Sequence, residues 1–217
     1  MAEPAEVTSV AFTEQMKGFA TAGETDPETG YARGREADQT LMFELTITAA
    51  DVQGFLADPA HAGTAAGYLD GALTGGRREV ERGWFNLFVD APGTPDETRL
   101  MRYRLWVTTD HGPVTFVGEK VVRDDRGFDL WSDTTTLFVQ LFAGHLEPLD
   151  DASRTALVSG ADERLLGAGV LRIRPLDFAR QLTTFTADGP GGVGAIADFG
   201  RMFLGQLWDV YLGSGRQ

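Results

Sequence analysis

Apolar and polar residues alternate with a period of two along most of this chain, the pattern of strands with one buried face. Over 7–16, Val10, Phe12, Glu14 and Met16 share one face, while Ser9, Thr13 and Gln15 take the other. Over 41–48, Leu41, Phe43, Leu45 and Ile47 alternate with Met42, Glu44, Thr46 and Thr48. The same reading predicts strands at 65–70, 83–90, 98–109, 113–123, 134–142 and 166–174. Segment 83–90 is apolar on both faces, as expected of a strand buried on both sides. Residues 49–57 predict a short helical turn stopped by Asp58 and Pro59. Stretch 23–40 has no clear period and reads as a long loop or a short irregular helix.

The two ends differ. Residues 1–6 carry no pattern and read as a disordered N-terminus, so the expected domain is a single barrel over 7–217. From 193 to 212, Val193, Ile196, Phe199, Phe203, Leu207 and Tyr211 follow the spacing of an amphipathic helix behind a glycine-rich breaker at 189–192. Polar linkers fall near 91–97 and 148–164, the second with room for a surface helix. About eight strands joined mostly by tight turns predict a mainly β protein, an antiparallel β-barrel with a C-terminal amphipathic helix. No alternating strand–helix series supports a parallel sheet.

Composition narrows the function. The 217 residues include 27 Gly and 9 Pro, which suits many tight turns. The 32 acidic residues against 19 Lys and Arg give a net charge of −13, a surface that repels nucleic-acid backbones and anionic headgroups. With no cysteine there is no disulfide, thiolate metal site or cysteine nucleophile. No run approaches the roughly 18 apolar residues of a membrane span. The chain reads as soluble and cytoplasmic, without nucleic-acid or membrane partners.

Familiar catalytic signatures are absent. Gly192, Gly194 and Ala197 match a dinucleotide fingerprint in spacing, but too few residues follow for the strand and acidic ribose ligand that it needs. Those glycines start a helix instead. His61, His111 and His145 share no ligand-like spacing, and the acidic run from Asp124 to Asp129 lacks the alternation of a calcium loop. No metal and no cofactor are expected.

The informative segment is the hairpin around Asp110, His111 and Gly112. A three-residue loop ending in a left-handed glycine places Thr109 opposite Pro113, Tyr103 opposite Glu119, Leu105 opposite Val117 and Val107 opposite Thr115. One face then carries Met101, Tyr103, Leu105, Val117 and Glu119, and should line the barrel. The other carries Arg102, Arg104 and Lys120, with Trp106 against Phe116, and should look outward. A carboxyl and a phenol would thus meet in an apolar interior, able to act as acid and base or to orient a polar ligand atom. The same pair could equally be a hydrogen bond satisfying two buried groups. Glu14 is a further candidate, because it interrupts an apolar face. The candidate catalytic residues are therefore Tyr103, Glu119 and Glu14. Phe12, Met101, Leu105, Val117, Phe85 and Trp84 are the expected ligand contacts. A one-residue slip in the hairpin would exchange the faces.

Four stretches resemble a known family: FTEQMKG from Phe12 to Gly18, GWFNLF from Gly83 to Phe88, GFDLWSDTTT from Gly127 to Thr136, and FGRMFLGQLWDVY from Phe199 to Tyr211. Together they resemble an actinobacterial domain found alone or fused to cholesterol-oxidase-like flavin oxidoreductases of the glucose–methanol–choline type. The likeness runs from about residue 8 to 212. It implies a calycin-like or allene-oxide-cyclase-like barrel holding an apolar ligand. It places no catalytic residue on this chain, and the flavin domain itself is absent. The resulting expectation is a cofactor-independent cyclase or isomerase in secondary metabolism, such as polyketide biosynthesis, acting on a polyketide-, lipid- or steroid-like molecule in the lumen. The alternative is a non-catalytic lipid- or steroid-binding module that partners a flavin oxidoreductase. A polyketide synthase pathway would be the cyclase's setting, and a homodimer through a barrel wall would be ordinary.

Overall fold

The computed structural model describes residues 7–90, 98–123, 135–147, 162–173, 181, 183–192 and 194–201. The predicted linker at 91–97, the acidic run from Asp124, most of the linker at 148–164 and the helix beyond residue 201 lie outside the described residues, as do residues 1–6. The strands are β1 (Ser9–Ala22), β2 (Thr40–Ala49), β3 (Ala62–Gly71), β4 (Arg78–Glu79), β5 (Arg82–Asp90), β6 (Thr98–Thr109), β7 (Gly112–Arg123), β8 (Thr136–Ala143), β9 (Leu165–Arg172) and β10 (Thr186–Asp188). Two helices, α1 (Pro27–Glu36) and α2 (Val52–Ala57), interrupt them, and a C-terminal helix begins at residue 192.

The sheet runs β1-β2-β3-β5-β6-β7-β8-β9, every pairing antiparallel, and β9 returns to pair with β1. Eight strands therefore close into a barrel, as the alternation predicts. Closure is possible because β1 is long. Its first residues, Ser9 to Ala11, pair with β10, and Lys17 to Ala22 pair with β9. Tight coiling also needs glycine on the inner face. At Gly169 a β-carbon would lie 2.2 Å from the Phe19 carbonyl oxygen, and at Gly67 2.1 Å from that of Glu44, so neither wall could bend as it does with a side chain there.

Region 23–40 contains more order than its composition predicts. Asp26 caps α1 by accepting from the Thr29 amide at 2.8 Å, with Pro27 at the first helical position. Gly30 and Gly34, poor helix formers, are the residues that let α1 lie directly on the barrel's outer wall. A β-carbon at Gly30 would sit 2.0 Å from the Ala168 carbonyl oxygen. Tyr31 packs edge-on against Phe19.

Inside, Met16, Phe43, Leu69, Phe85, Phe116 and Leu141 are each almost wholly removed from solvent and belong to one continuous apolar cluster. One end of the bore is stoppered by aromatic rings. Phe199 of the C-terminal helix lies 5.5 Å from Phe55 of α2 and 6.0 Å from Phe12 of β1, and Phe185 stacks on Phe12 at 5.1 Å. Phe199, from the predicted amphipathic face, thus caps a barrel end.

In β5 the expectation of burial on both faces needs correction. Trp84 and Asn86 are only half-buried, on the outer face. A bulge between Asn86 and Val89, with Phe88 in the left-handed region at φ 51°, reverses the alternation toward the strand's end. That reversal is why the segment reads as apolar throughout.

Candidate functional site

The β6–β7 hairpin sets which polar groups enter the barrel, and its register differs from the expected one by one residue. Thr109 pairs with Gly112, Thr108 with Pro113, Tyr103 with Gly118, Arg102 with Glu119 and Met101 with Lys120. The loop is therefore two residues, Asp110 and His111. The Thr109 hydroxyl ties it from within, donating to the Gly112 carbonyl and accepting from the His111 amide. Asp110 is held from outside by Arg78 Nη2 at 2.7 Å. Gly112 does take a positive φ, 116°, but as the first residue of β7 and not as the third residue of the loop.

The slip exchanges the faces of β7. Glu119 and Val117 lie on the outer wall, and Lys120 and Phe116 point inward, against the expectation for all four. Outside, Glu119 Oε2 accepts from Arg102 Nε at 3.2 Å. Burial raises the Glu119 carboxyl above the usual range, although the Arg102 charge and hydrogen bond pull the other way. Trp84 also faces outward, against Trp106. The expected contacts Phe12, Met101, Leu105 and Phe85 do face the lumen, as do Tyr103 and Glu14.

Tyr103 meets not Glu119 but Glu14. The Tyr103 hydroxyl donates to Glu14 Oε2 at 2.6 Å, and Lys120 Nζ donates to Glu14 Oε1 at 2.5 Å. Around the eight-strand ring β1 and β6 are four strands apart either way, so the Glu14–Tyr103 bond crosses the full bore. Relative exposures are 3% for Glu14, 2% for Tyr103 and 3% for Lys120. Apolar groups surround the three. The Tyr103 ring lies 4.9 Å from Phe85 and 5.7 Å from Phe43, and Lys120 Nζ stands 5.4 Å from the Tyr103 ring centroid.

This setting fixes the chemistry. Burial, then the Glu14 charge and hydrogen bond, hold the Tyr103 phenol well above its ordinary pKa. At neutral pH it is a hydrogen-bond donor and not a phenolate base. Glu14 accepts from both partners. An ammonium has three N–H donors, and Lys120 uses one on Glu14, with no second acceptor among the described residues. The trio can stabilise negative charge developing on a ligand oxygen, or exchange a proton with it. Among the described residues no cluster of three metal-ligating side chains occurs, and no helix is long and apolar enough to cross a membrane.

Sequence reasoning placed Lys120 on the outer face, because both faces of β7 are mostly apolar and alternation does not choose between them. The signal that could have found it is Glu14, a carboxylate on a buried face that requires a cation. Fold and site together define an antiparallel barrel with a hydrogen-bonded ionisable trio across its lumen. Compared with family models, curated proteins and solved structures, the chain matches none.

Proposed function

We propose that the barrel holds one small, mostly apolar molecule beside Glu14, Tyr103 and Lys120, and promotes its cyclisation or isomerisation without a cofactor. The observation that carries this reading is the trio itself. A buried ion pair is weak support for stability, since well-packed apolar residues of similar volume serve as well or better. Ionisable groups gathered in an apolar interior are a mark of functional sites. Lys120 retains donor capacity that a ligand oxygen would satisfy, and Tyr103 stands beside it as a neutral acid. Phe43 and Phe85 would flank the ligand body. Holding a flexible polyketide-, lipid- or steroid-like chain in reactive geometry lowers much of a ring-closure barrier with few catalytic groups.

One observation favours a second reading. The inward-facing rings already touch across the bore, and an eight-stranded barrel is only wide enough for its own side chains or one small ligand. A tight interior suits a binding module that presents a lipid or steroid to a flavin oxidoreductase. The deciding experiment incubates the protein with linear poly-ketone, unsaturated-epoxide and steroid-enone probes, following binding by calorimetry and products by mass spectrometry. Under the cyclase reading Tyr103→Phe and Lys120→Met each lower turnover more than tenfold, about 1.4 kcal/mol of transition-state stabilisation. Binding without product, weakened by Lys120→Met, supports the accessory module. No binding by any probe class counts against both.

A further inference from the structure

Glu14, Tyr103 and Lys120 are sealed from solvent, and the two ends of the barrel above and below them are closed in different ways. At the β6–β7 hairpin end the strands fill the bore with their own side chains. Leu105, Val107, Val114 and Leu141 are buried there, on strands hydrogen-bonded into the sheet. None of them can leave without unpairing a strand.

The other end is closed by rings, two of them carried by helices outside the sheet. Phe199 of the C-terminal helix meets Phe12, Phe55 of α2 and Phe185, at 6.0, 5.5 and 5.9 Å. Ring contacts continue inward from Phe12 to Phe85 at 6.4 Å, and from Phe85 to Tyr103 at 4.9 Å. Phe12 also stands two residues from Glu14 on the same face of β1. The rings therefore separate this end of the barrel from the trio.

Both helices are tied to one residue. The Thr8 carbonyl accepts from the Val52 amide at the start of α2, at 2.9 Å. The Thr8 hydroxyl accepts from the Gly191 amide, just before the C-terminal helix, at 2.8 Å. Gly189 and Gly192 flank that second bond, at φ 120° and 38°. A helix joined to the sheet through glycines and held by one hydroxyl can swing without unpairing a strand.

We infer that Phe199 is a hinged plug, latched together with α2 through Thr8, and that its opening is the route to Glu14, Tyr103 and Lys120. The route rests for its purpose on the lumen reading proposed above, but the movement itself is testable without a ligand.

The chain has no cysteine, so a single introduced thiol reports access to the bore. Met101→Cys places one at the plug end, where Met101 pairs with Lys120, and Val107→Cys places one at the hairpin end. Each variant is treated with a small thiol reagent, and its labelling rate is compared with its own rate of global unfolding. Met101→Cys should label at least tenfold faster than it unfolds, and Val107→Cys no faster than it unfolds. Adding Phe199→Ala should speed labelling of Met101→Cys at least tenfold further, and leave Val107→Cys limited by unfolding. Thr8→Val, which keeps the shape but removes the hydroxyl, should act in the same direction. Thr8→Ser, which keeps the acceptor, should label like the parent. The inference is overturned if the two thiols label alike, if Phe199→Ala speeds them equally, or if Thr8→Val leaves Met101→Cys at its former rate. The comparison of the two thiols decides the matter if Phe199→Ala does not fold. Opening at Met101→Cys without binding by any probe class would support the plug and count against the lumen reading alone. Probe binding with labelling only by global unfolding would do the reverse.

Discussion

The two faces of the β6–β7 hairpin carry similar residue types and put them to different uses. On the inner face Tyr103 and Lys120 close on one carboxylate from the opposite wall, at 2.6 and 2.5 Å, in an apolar bore. On the outer face Arg102 finds its carboxylate one strand away, at 3.2 Å, where the Glu119 side chain is still 13% exposed, and Arg104 finds none among the described residues. Charges inside must be matched at once, because nothing else in the bore can solvate them. On the wall backbone carbonyls can take part of that role, as the Glu147 carbonyl does for the Arg104 guanidinium. The contrast assigns the large energies to the inside and the adaptable ones to the outside.

That assignment breaks if the inner ion pair proves dispensable. Glu14→Leu should leave Lys120 buried and uncompensated, and Lys120→Met should do the same to Glu14. Each should lower unfolding free energy by about 3–5 kcal/mol in urea titrations. The double variant, with both charges replaced by apolar groups, should recover most of the loss or exceed the parent. Single variants costing under about 1 kcal/mol would place the pair in water and undo the lumen assignment.

How far the sequence leads depends on how many cues agree. Strands β2 and β6 were legible because strict alternation, length and flanking turns coincide in them. The capping helix was legible from Ile196 and Phe199 behind a glycine breaker. Helix α1 was legible only as one of two alternatives, a long loop or a short irregular helix, although Asp26, Pro27 and Thr29 form a recognisable start, because Gly30 and Gly34 depress helix propensity at the points where the wall comes closest. The hairpin register was lost for a different reason. Val114, Phe116 and Val122 face inward while Thr115, Val117 and Val121 face outward, so alternation fits either register equally well. Only the turn's own hydrogen bonds, through Thr109, and the demand of Glu14 for a cation settle it. Strands β4 and β10, of two and three residues, are too short to leave a period at all.

A smaller effect separates the donors within the trio. Tyr103→Phe removes one hydrogen bond to a charged acceptor and keeps the ring packing, so it should cost about 1.5–3 kcal/mol at pH 7. The phenol also has a pH signature. Its folded pKa is raised, so its contribution is fully present below the unfolded value of about 10 and is lost as pH rises from there through the folded value. Between pH 9 and 11 the parent should therefore lose stability more steeply than Tyr103→Phe, by up to about 1.4 kcal/mol per pH unit. Equal slopes in alkaline urea titrations would mean that the hydroxyl already faces solvent.

The smallest expected effect lies on the outer wall and sharpens the contrast most directly. Glu119→Gln keeps an oxygen able to accept from Arg102 Nε, and removes a charge that burial disfavours. The raised carboxyl pKa gives the sign: the folded state holds this proton more tightly than the unfolded chain does. The stabilisation from that proton is present at low pH and is lost as pH rises through the folded value. At neutral pH the ionised group is thus a net liability, set against the Arg102 contact that it makes. The two terms offset, and the variant should remain within about 1 kcal/mol of the parent at pH 7. At pH 4, where the parent carboxyl is itself protonated, the difference should shrink further. A loss at pH 7 as large as that of Glu14→Leu would put Glu119 in the lumen and restore the three-residue loop.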